Sequence, residues 1–273
     1  MRASALLLGL AVTILAGCGE DSPGVDESGG PTLIPPGSNS GTVGASPGTT
    51  GNGTTGTNGA PTVDAQLDEV VYVIIGSFNG GEGGGFCTGT LVKSDVVLTA
   101  GHCVDTDRMS SFEVVAPRAA GSPRVTASRV ARFAGDYDDP TNPDIGLLKL
   151  DEPIVLKQYA QMTDISGRLA AGEKISAMAV TRTDEEPEAP LHNSAILQVT
   201  SAKDLGYEHG IQTQMFSIGG DSGAGLFLVE NGKRTHKLIG VARQPEPDRE
   251  VDHFTAIDPA ITKWFGGASA GGD

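Results

Sequence analysis

The chain has 273 residues, of which 38% are hydrophobic and 19% charged, and a formal net charge of -15 at neutral pH. That allows one or two ordinary domains with a real core and argues against nucleic acid as a partner. An excess of negative charge serves solubility and long-range steering, and names no other partner.

Met1-Arg2 followed by the apolar residues 3–16 reads as an export signal, because a basic start leads into a hydrophobic segment too short for a comfortable membrane span. Leu15-Ala16-Gly17-Cys18 resembles the bacterial lipoprotein signal. The resemblance implies removal of residues 1–17 and a lipid on Cys18, the plainer alternative being an ordinary export signal with a chance cysteine. Gly19 stands where an aspartate would signal inner-membrane retention, which implies the outer membrane or cell surface. Residues 18–62 are mostly Gly, Ser, Thr, Pro and Asn, too poor in apolar groups to offset the entropy of ordering, and read as a flexible tether.

Beyond Asp64 come about twelve short runs rich in Val, Ile, Thr and Leu, divided by Gly, Pro, Asp and Asn. They fall at 70–75, 87–92, 96–100, 112–116, 125–133, 145–150, 175–180, 195–201, 212–216, 225–230, 238–243 and 253–257. Many short strands at this spacing predict an all-β sandwich or barrel. Residues 259–265 predict a short closing helix with Pro259 in its first turn.

The run Gly219-Gly220-Asp221-Ser222-Gly223-Ala224-Gly225 exposes one hydroxyl among residues small enough for close backbone approach. A serine nucleophile needs a base and an orienting acid. Candidates are His102, in Leu98-Thr99-Ala100-Gly101-His102-Cys103, and Asp144, which opens Asp144-Ile145-Gly146-Leu147-Leu148. Taken singly, each has a plain reading as a core histidine or a strand-end turn residue. His192, His209, His236 and His253 lack such surroundings and read as structural or exposed.

These motifs, with Phe86-Cys87-Thr88-Gly89-Thr90-Leu91 ahead of them, occur in the order found in the chymotrypsin/trypsin family of serine proteases, which the chain resembles over residues 63–265. The resemblance implies two six-stranded antiparallel β-barrels with a short C-terminal helix, the site lying in the cleft between them. It sets the domain at 63–266, with 267–273 as a flexible tail. It implies His102 as base, Asp144 as orienting acid, Ser222 as nucleophile, the N–H groups of Gly220 and Ser222 as oxyanion hole, and a Cys87–Cys103 disulfide worth about 3 kcal/mol. The implied activity is endopeptidase cleavage through an acyl-enzyme, by a monomer acting on peptide or protein substrates, without cofactor or metal, and held to a membrane by its lipid.

The acidic groups at Asp184-Glu185-Glu186-Pro187-Glu188 and at Asp136, Asp138 and Asp139 lack the alternating ligand spacing of a calcium loop and read as solvated turns. A nucleophile-elbow reading of residues 220–224 fails, since Ala224 replaces a glycine and the order here is His, Asp, Ser. An esterase on the same barrels remains open, as does a protease-like binding domain with little turnover.

Three departures from the resemblance shape expectations. No Ile-Val-Gly-Gly-like segment precedes Val70, so the ammonium group that would pair with Asp221 needs a substitute and the domain is expected to work without activating cleavage. The expected pocket base is Phe216, with Ile218 at a cysteine position, which predicts preference for small or apolar side chains over basic ones. The strand expected to pair with substrate reads Gly240-Val241-Ala242-Arg243-Gln244-Pro245; Pro245 has no N–H to donate, and Arg243 is a candidate to project into the cleft toward acidic residues.

Overall fold

The computed structural model describes residues 68–78 and 84–270. The export signal, Cys18 and the tether lie outside the described residues. The first six strands are β1 (Val70–Phe78), β2 (Gly85–Lys93), β3 (Val96–Thr99), β4 (Met109–Val115), β5 (Arg124–Arg132) and β6 (Gly146–Leu150). They close into an antiparallel barrel in the order β1-β2-β3-β6-β5-β4. A two-residue strand β7 (Gln161–Met162) and one helical turn α1 (Ser166–Ala170) lead onward. Next come β8 (Ile175–Arg182), β9 (Leu191–Asn193), β10 (Leu197–Ser201), β11 (Gly210–Gln214), β12 (Gly225–Glu230), β13 (Lys233–Glu246) and β14 (Val251–Ala256). Here β8, β12, β13, β14, β11 and β10 pair in turn, and β10 returns to β8, closing a second six-stranded barrel. β9 extends β8, and β7 runs parallel beside β13. Each of the twelve runs expected from sequence overlaps one barrel strand.

The period-2 alternation of strands builds three apolar layers. In β1, Val71, Val73 and Ile75 fill the first barrel, while Val70 and Tyr72 face a shared layer. In β12, Leu226 and Leu228 fill the second barrel, while Phe227 points into the same shared layer. Leu98, Ile145, Leu147, Val180, Leu238 and Val241 complete that layer, so strands of both barrels bury side chains against each other. Each fully buried large side chain contributes roughly 1.5–3 kcal/mol by leaving water. The loops that carry the site issue from strands fixed by this layer.

The closing helix α2 (Pro259–Ser269) starts where expected: Asp258 caps it, accepting from the Ile261 N–H at 2.9 Å, and Pro259 sits in the first turn. It runs past the expected end at residue 265 to Ser269, into the segment expected to be a loose tail. Tertiary contacts override the glycine penalty. Trp264, Phe265 and Ala268 pack on the shared layer, Lys93 Nζ lies 4.9 Å from the Phe265 ring centre, and it donates to Ser269 Oγ at 3.0 Å.

Candidate active site

His102 lies in a single 3-10 turn, Gly101–Val104, that follows β3. Its backbone N–H donates to Asp144 Oδ1 at 2.8 Å, and its Nδ1 lies 2.7 Å from Asp144 Oδ2. The two contacts fix both the position of the turn and the plane of the ring. Gly101 makes the approach possible, because a Cβ there would stand 3.0 Å from Asp144 Oδ1 and 3.1 Å from Ile145 N. Asp144 is buried just ahead of β6, and its carbonyl accepts from Thr255 Oγ1 of the second barrel at 3.0 Å. Cys103 is bonded to Cys87 of β2, with Cα atoms 6.3 Å apart, which pins the histidine turn to the neighbouring strand.

Ser222 comes from the second barrel, on the turn between β11 and β12. Its carbonyl accepts from the Thr88 N–H at 2.8 Å and lies 3.9 Å from the Cys103 sulfur, so the first barrel holds it directly. His102 and Ser222 line one open cleft of about 290 Å3, together with Arg108, Tyr137 and Asp138. Gly220 and Gly223 have φ of +90° and +84°, in the left-handed region that glycine tolerates. Around Ser222, the N–H groups of Gly219, Asp221, Gly223 and Ala224 all have acceptors. Those of Gly220 and Ser222 have none among the described residues, which leaves two neighbouring donors available.

Asp221 is buried and does have partners. Its Oδ1 accepts from the Arg182 N–H at 3.0 Å; its Oδ2 accepts from the Ile218 N–H at 3.1 Å and from Thr181 Oγ1. Burial pushes its carboxyl above the usual carboxylate range, while these donors and the Arg182 charge pull it back. The substitute expected from sequence is therefore present and comes from the end of β8.

The sequence profile of the trypsin family matches residues 65–264. The chain belongs to the trypsin family. The chain is 26% identical over 172 residues to chymotrypsin-like elastase family member 1 of Felis catus, spanning 54% of this chain and 64% of that protein. HL collagenase superposes with a TM-score of 0.59 at 19% identity, covering 75% of this chain and 94% of that one. The protease Anisep of Arthrobacter nicotinovorans gives 0.56 at 15% identity, over 74% and 96%. The scabies mite inactivated protease paralogue S-I1 gives 0.54 at 20%, over 76% and 96%. The three structural likenesses establish the trypsin fold alone.

The substrate side of this trypsin-family site differs from the sequence expectation in three places. Phe216 does not form the base of the pocket: its ring packs against the second-barrel core, 6.2 Å from Phe254. Arg243 lines the cleft, but its guanidinium is committed elsewhere. It donates to the carbonyls of Asn142 at 3.0 Å, Asp139 at 3.1 Å and Tyr137, so it ties down the loop ahead of Asp144. The third place is Asp252, which sequence reasoning missed. Buried in β14, it accepts from the N–H groups of Phe216 at 2.7 Å and Ser217 at 3.0 Å, and from Ser217 Oγ at 2.5 Å. It faces Pro245 across the β13–β14 pairing, and with Ser222 and Ala242 the two line a cavity of only about 20 Å3. The signal available in sequence was an acid two residues before Phe254, on a face the strand pattern assigns to the interior.

The acidic stretch at 184–188 also does more than face solvent. Glu185 Oε1 accepts from the Gly219 N–H at 3.3 Å, and the carbonyls of Glu186 and Pro187 both accept from Arg182. The remaining histidines are paired with carboxylates or exposed: His209 with Asp258, His236 with Glu69, His253 with Glu246, and His192 in solvent.

Proposed function

We propose that this protein is a serine endopeptidase that works through an acyl-enzyme, exported and held at the cell envelope by a lipid on Cys18. The observation that carries the reading is the two-point attachment of His102 to Asp144 in the cleft that Ser222 also lines. In this reading Ser222 Oγ attacks the substrate carbonyl as His102 Nε2 takes its proton. The carbonyl oxygen becomes an oxyanion facing the N–H groups of Gly220 and Ser222. His102 then returns the proton to the leaving amine, and water repeats the sequence on the ester. Asp144 holds the ring tautomer that leaves Nε2 unprotonated and stabilises the imidazolium. Losing one such oxyanion donor typically lowers the rate by about 10^2 to 10^3.

The cavity beside Ser222 has room for about one water, so it supports a preference for glycyl or alanyl side chains at the cleaved bond. Asp252 spends its carboxylate on three hydrogen bonds to Phe216 and Ser217, and the cavity it lines is too small to admit a lysine or arginine side chain. A fluorophosphonate probe should label the wild type but neither Ser222→Ala nor His102→Ala, and a peptide library should be cut after small residues. Labelling that survives Ser222→Ala, or preferential cleavage after arginine, would overturn the respective parts. A second reading, a binding domain with little turnover, draws support from Pro245 and the filled pocket. It predicts peptide binding by the wild type without cleavage and without labelling.

A further inference from the structure

Arg182, the last residue of β8, is among the largest fully buried side chains described, yet it carries a charge. Its guanidinium lies between two aromatic rings, 4.8 Å from the centre of Tyr72 and 5.0 Å from that of Phe86. The donors at its edge all reach main-chain carbonyls. Nε donates to Gly220 at 3.1 Å, one terminal nitrogen to Cys87 at 2.7 Å, and the other to Glu186 at 3.1 Å and to Pro187. One side chain thus gathers the nucleophile loop, the strand that carries the disulfide, and the acidic turn. Its own N–H meanwhile holds Asp221. The fit around Gly220 is tight: a Cβ there would stand 2.3 Å from Phe86 Cε2 and 3.0 Å from Arg182 Nε.

We propose that Arg182 is a positioning residue for the oxyanion donors, an internal cation that locks the Gly220 peptide so that the loop holds its working shape as a property of the folded domain alone. The Gly220 carbonyl has two donors, Arg182 Nε and Thr88 Oγ1 at 2.9 Å, and both come from outside the loop. Fixing that carbonyl fixes the plane that joins Gly220 to Asp221, the peptide that lies between the N–H groups of Gly220 and Ser222, at a glycine whose φ is +90°. Burial lowers the affinity of this guanidinium for its proton, but the reference value lies so high that the charge persists at neutral pH. A lysine keeps the charge yet lacks the planar fork that reaches several carbonyls at once. The inference rests on the hydrolase reading for its kinetic consequence, though not for its structural one.

The test compares the intact chain with Arg182→Lys and Arg182→Met, reading probe labelling, peptide turnover and amide exchange. The expected result for Arg182→Met is a fall in kcat of about 10^2-fold or more with KM little changed, as for loss of an interaction made mainly in the transition state. Arg182→Lys should fall between it and wild type, and millimolar guanidinium should restore part of the Arg182→Met rate. Exchange should accelerate in peptides covering 217–224 while β1 and β4 keep their protection. If Arg182→Met fails to fold, Arg182→Lys decides by the same measurements. Wild-type labelling in the variants, or a uniform loss of protection with no guanidinium rescue, would overturn the proposal. An unreactive wild type would instead defeat the hydrolase reading and leave the exchange comparison to decide this one.

Discussion

Gly223→Ala is the sharpest perturbation the site allows, because two separable penalties meet at one methyl group. The first is conformational: φ is +84°, and an L residue held in the left-handed region costs about 1–2 kcal/mol. The second is steric. The new Cβ would stand 2.2 Å from the Thr88 carbonyl oxygen, 2.2 Å from Thr99 Oγ1 and 2.9 Å from Ala100 N. The first two atoms are hydrogen-bonded to each other at 2.8 Å and belong to β2 and to the end of β3, just ahead of the turn that carries His102, so they cannot swing aside as a flexible chain end would. Overpacking of this kind costs about 1–3 kcal/mol. Together the two give about 2–5 kcal/mol against a typical domain stability of about 5–15 kcal/mol. The cheapest relaxation moves residue 222 away from the histidine turn, and a misplacement of about 1 Å can lower the rate by roughly 10^2. Gly172→Ala separates the terms, since its φ of +75° carries the conformational penalty while nothing lies within 4 Å of its Cβ. Urea midpoints and labelling rates of the two variants form the assay. A Gly223→Ala protein matching Gly172→Ala in both would refute the claim that the barrels meet at this residue without slack.

Replacing Cys87 and Cys103 together by alanine should lower stability by about 3 kcal/mol, because the bond closes a loop of 16 residues in the unfolded chain; an unchanged urea midpoint would count against it. Pro245→Gly restores one N–H on the strand beside the cleft. It should lower KM for peptide substrates by a few-fold, in line with a net hydrogen bond of about 0.5–1.5 kcal/mol, and an unchanged KM would mean that this strand does not pair with substrate. Asp151 accepts from Thr126 Oγ1 at 2.6 Å and from the Ser128 N–H at 3.3 Å and its hydroxyl, and the two hydroxyls chiefly hold its carboxyl below the usual range. A folded value below the unfolded one contributes stability that is present above the unfolded pKa and lost as pH falls through the folded one. Asp151→Asn should therefore lower the urea midpoint at neutral pH and converge with wild type in strong acid; a gap that persists there would contradict the sign.

What the sequence made legible was whatever depends on neighbours along the chain. The unbroken apolar run from Val70 to Ile75 declares a strand buried on both faces, and small residues around Ser222 declare a close approach, because both signals lie within a few positions. Cys87, His102, Asp144 and Ser222 stood out as members of short motifs. Arg182 did not, because its role exists only where the carbonyls of Cys87, Glu186, Pro187 and Gly220 converge, and carbonyls carry no residue identity. Asp252 escaped notice for the same reason, since two of its three donors are backbone N–H groups. Spacing from Ser222 places Phe216 at the pocket base, but spacing cannot show where a ring packs, and this one lies against Phe254 at the second-barrel core.

The departures from expectation are unevenly placed, and their placement bears on turnover. Arg243, Pro245 and Asp252 all lie on β13 and β14, where a substrate chain would lie, and they reshape binding without touching the contacts of His102 with Asp144. Gly101, Gly220 and Gly223 sit where a methyl group would stand 3.0 Å or less from a neighbour: Gly101 against Asp144, Gly223 against Thr88 and Thr99 beside the histidine turn, and Gly220 against Phe86 and the Arg182 side chain that holds the serine loop. A groove that only holds a peptide can be built on the strands and needs none of them. Retaining three such approaches constrains the backbone in a way that binding alone does not require, which supports hydrolysis with narrowed specificity over a silent binding domain.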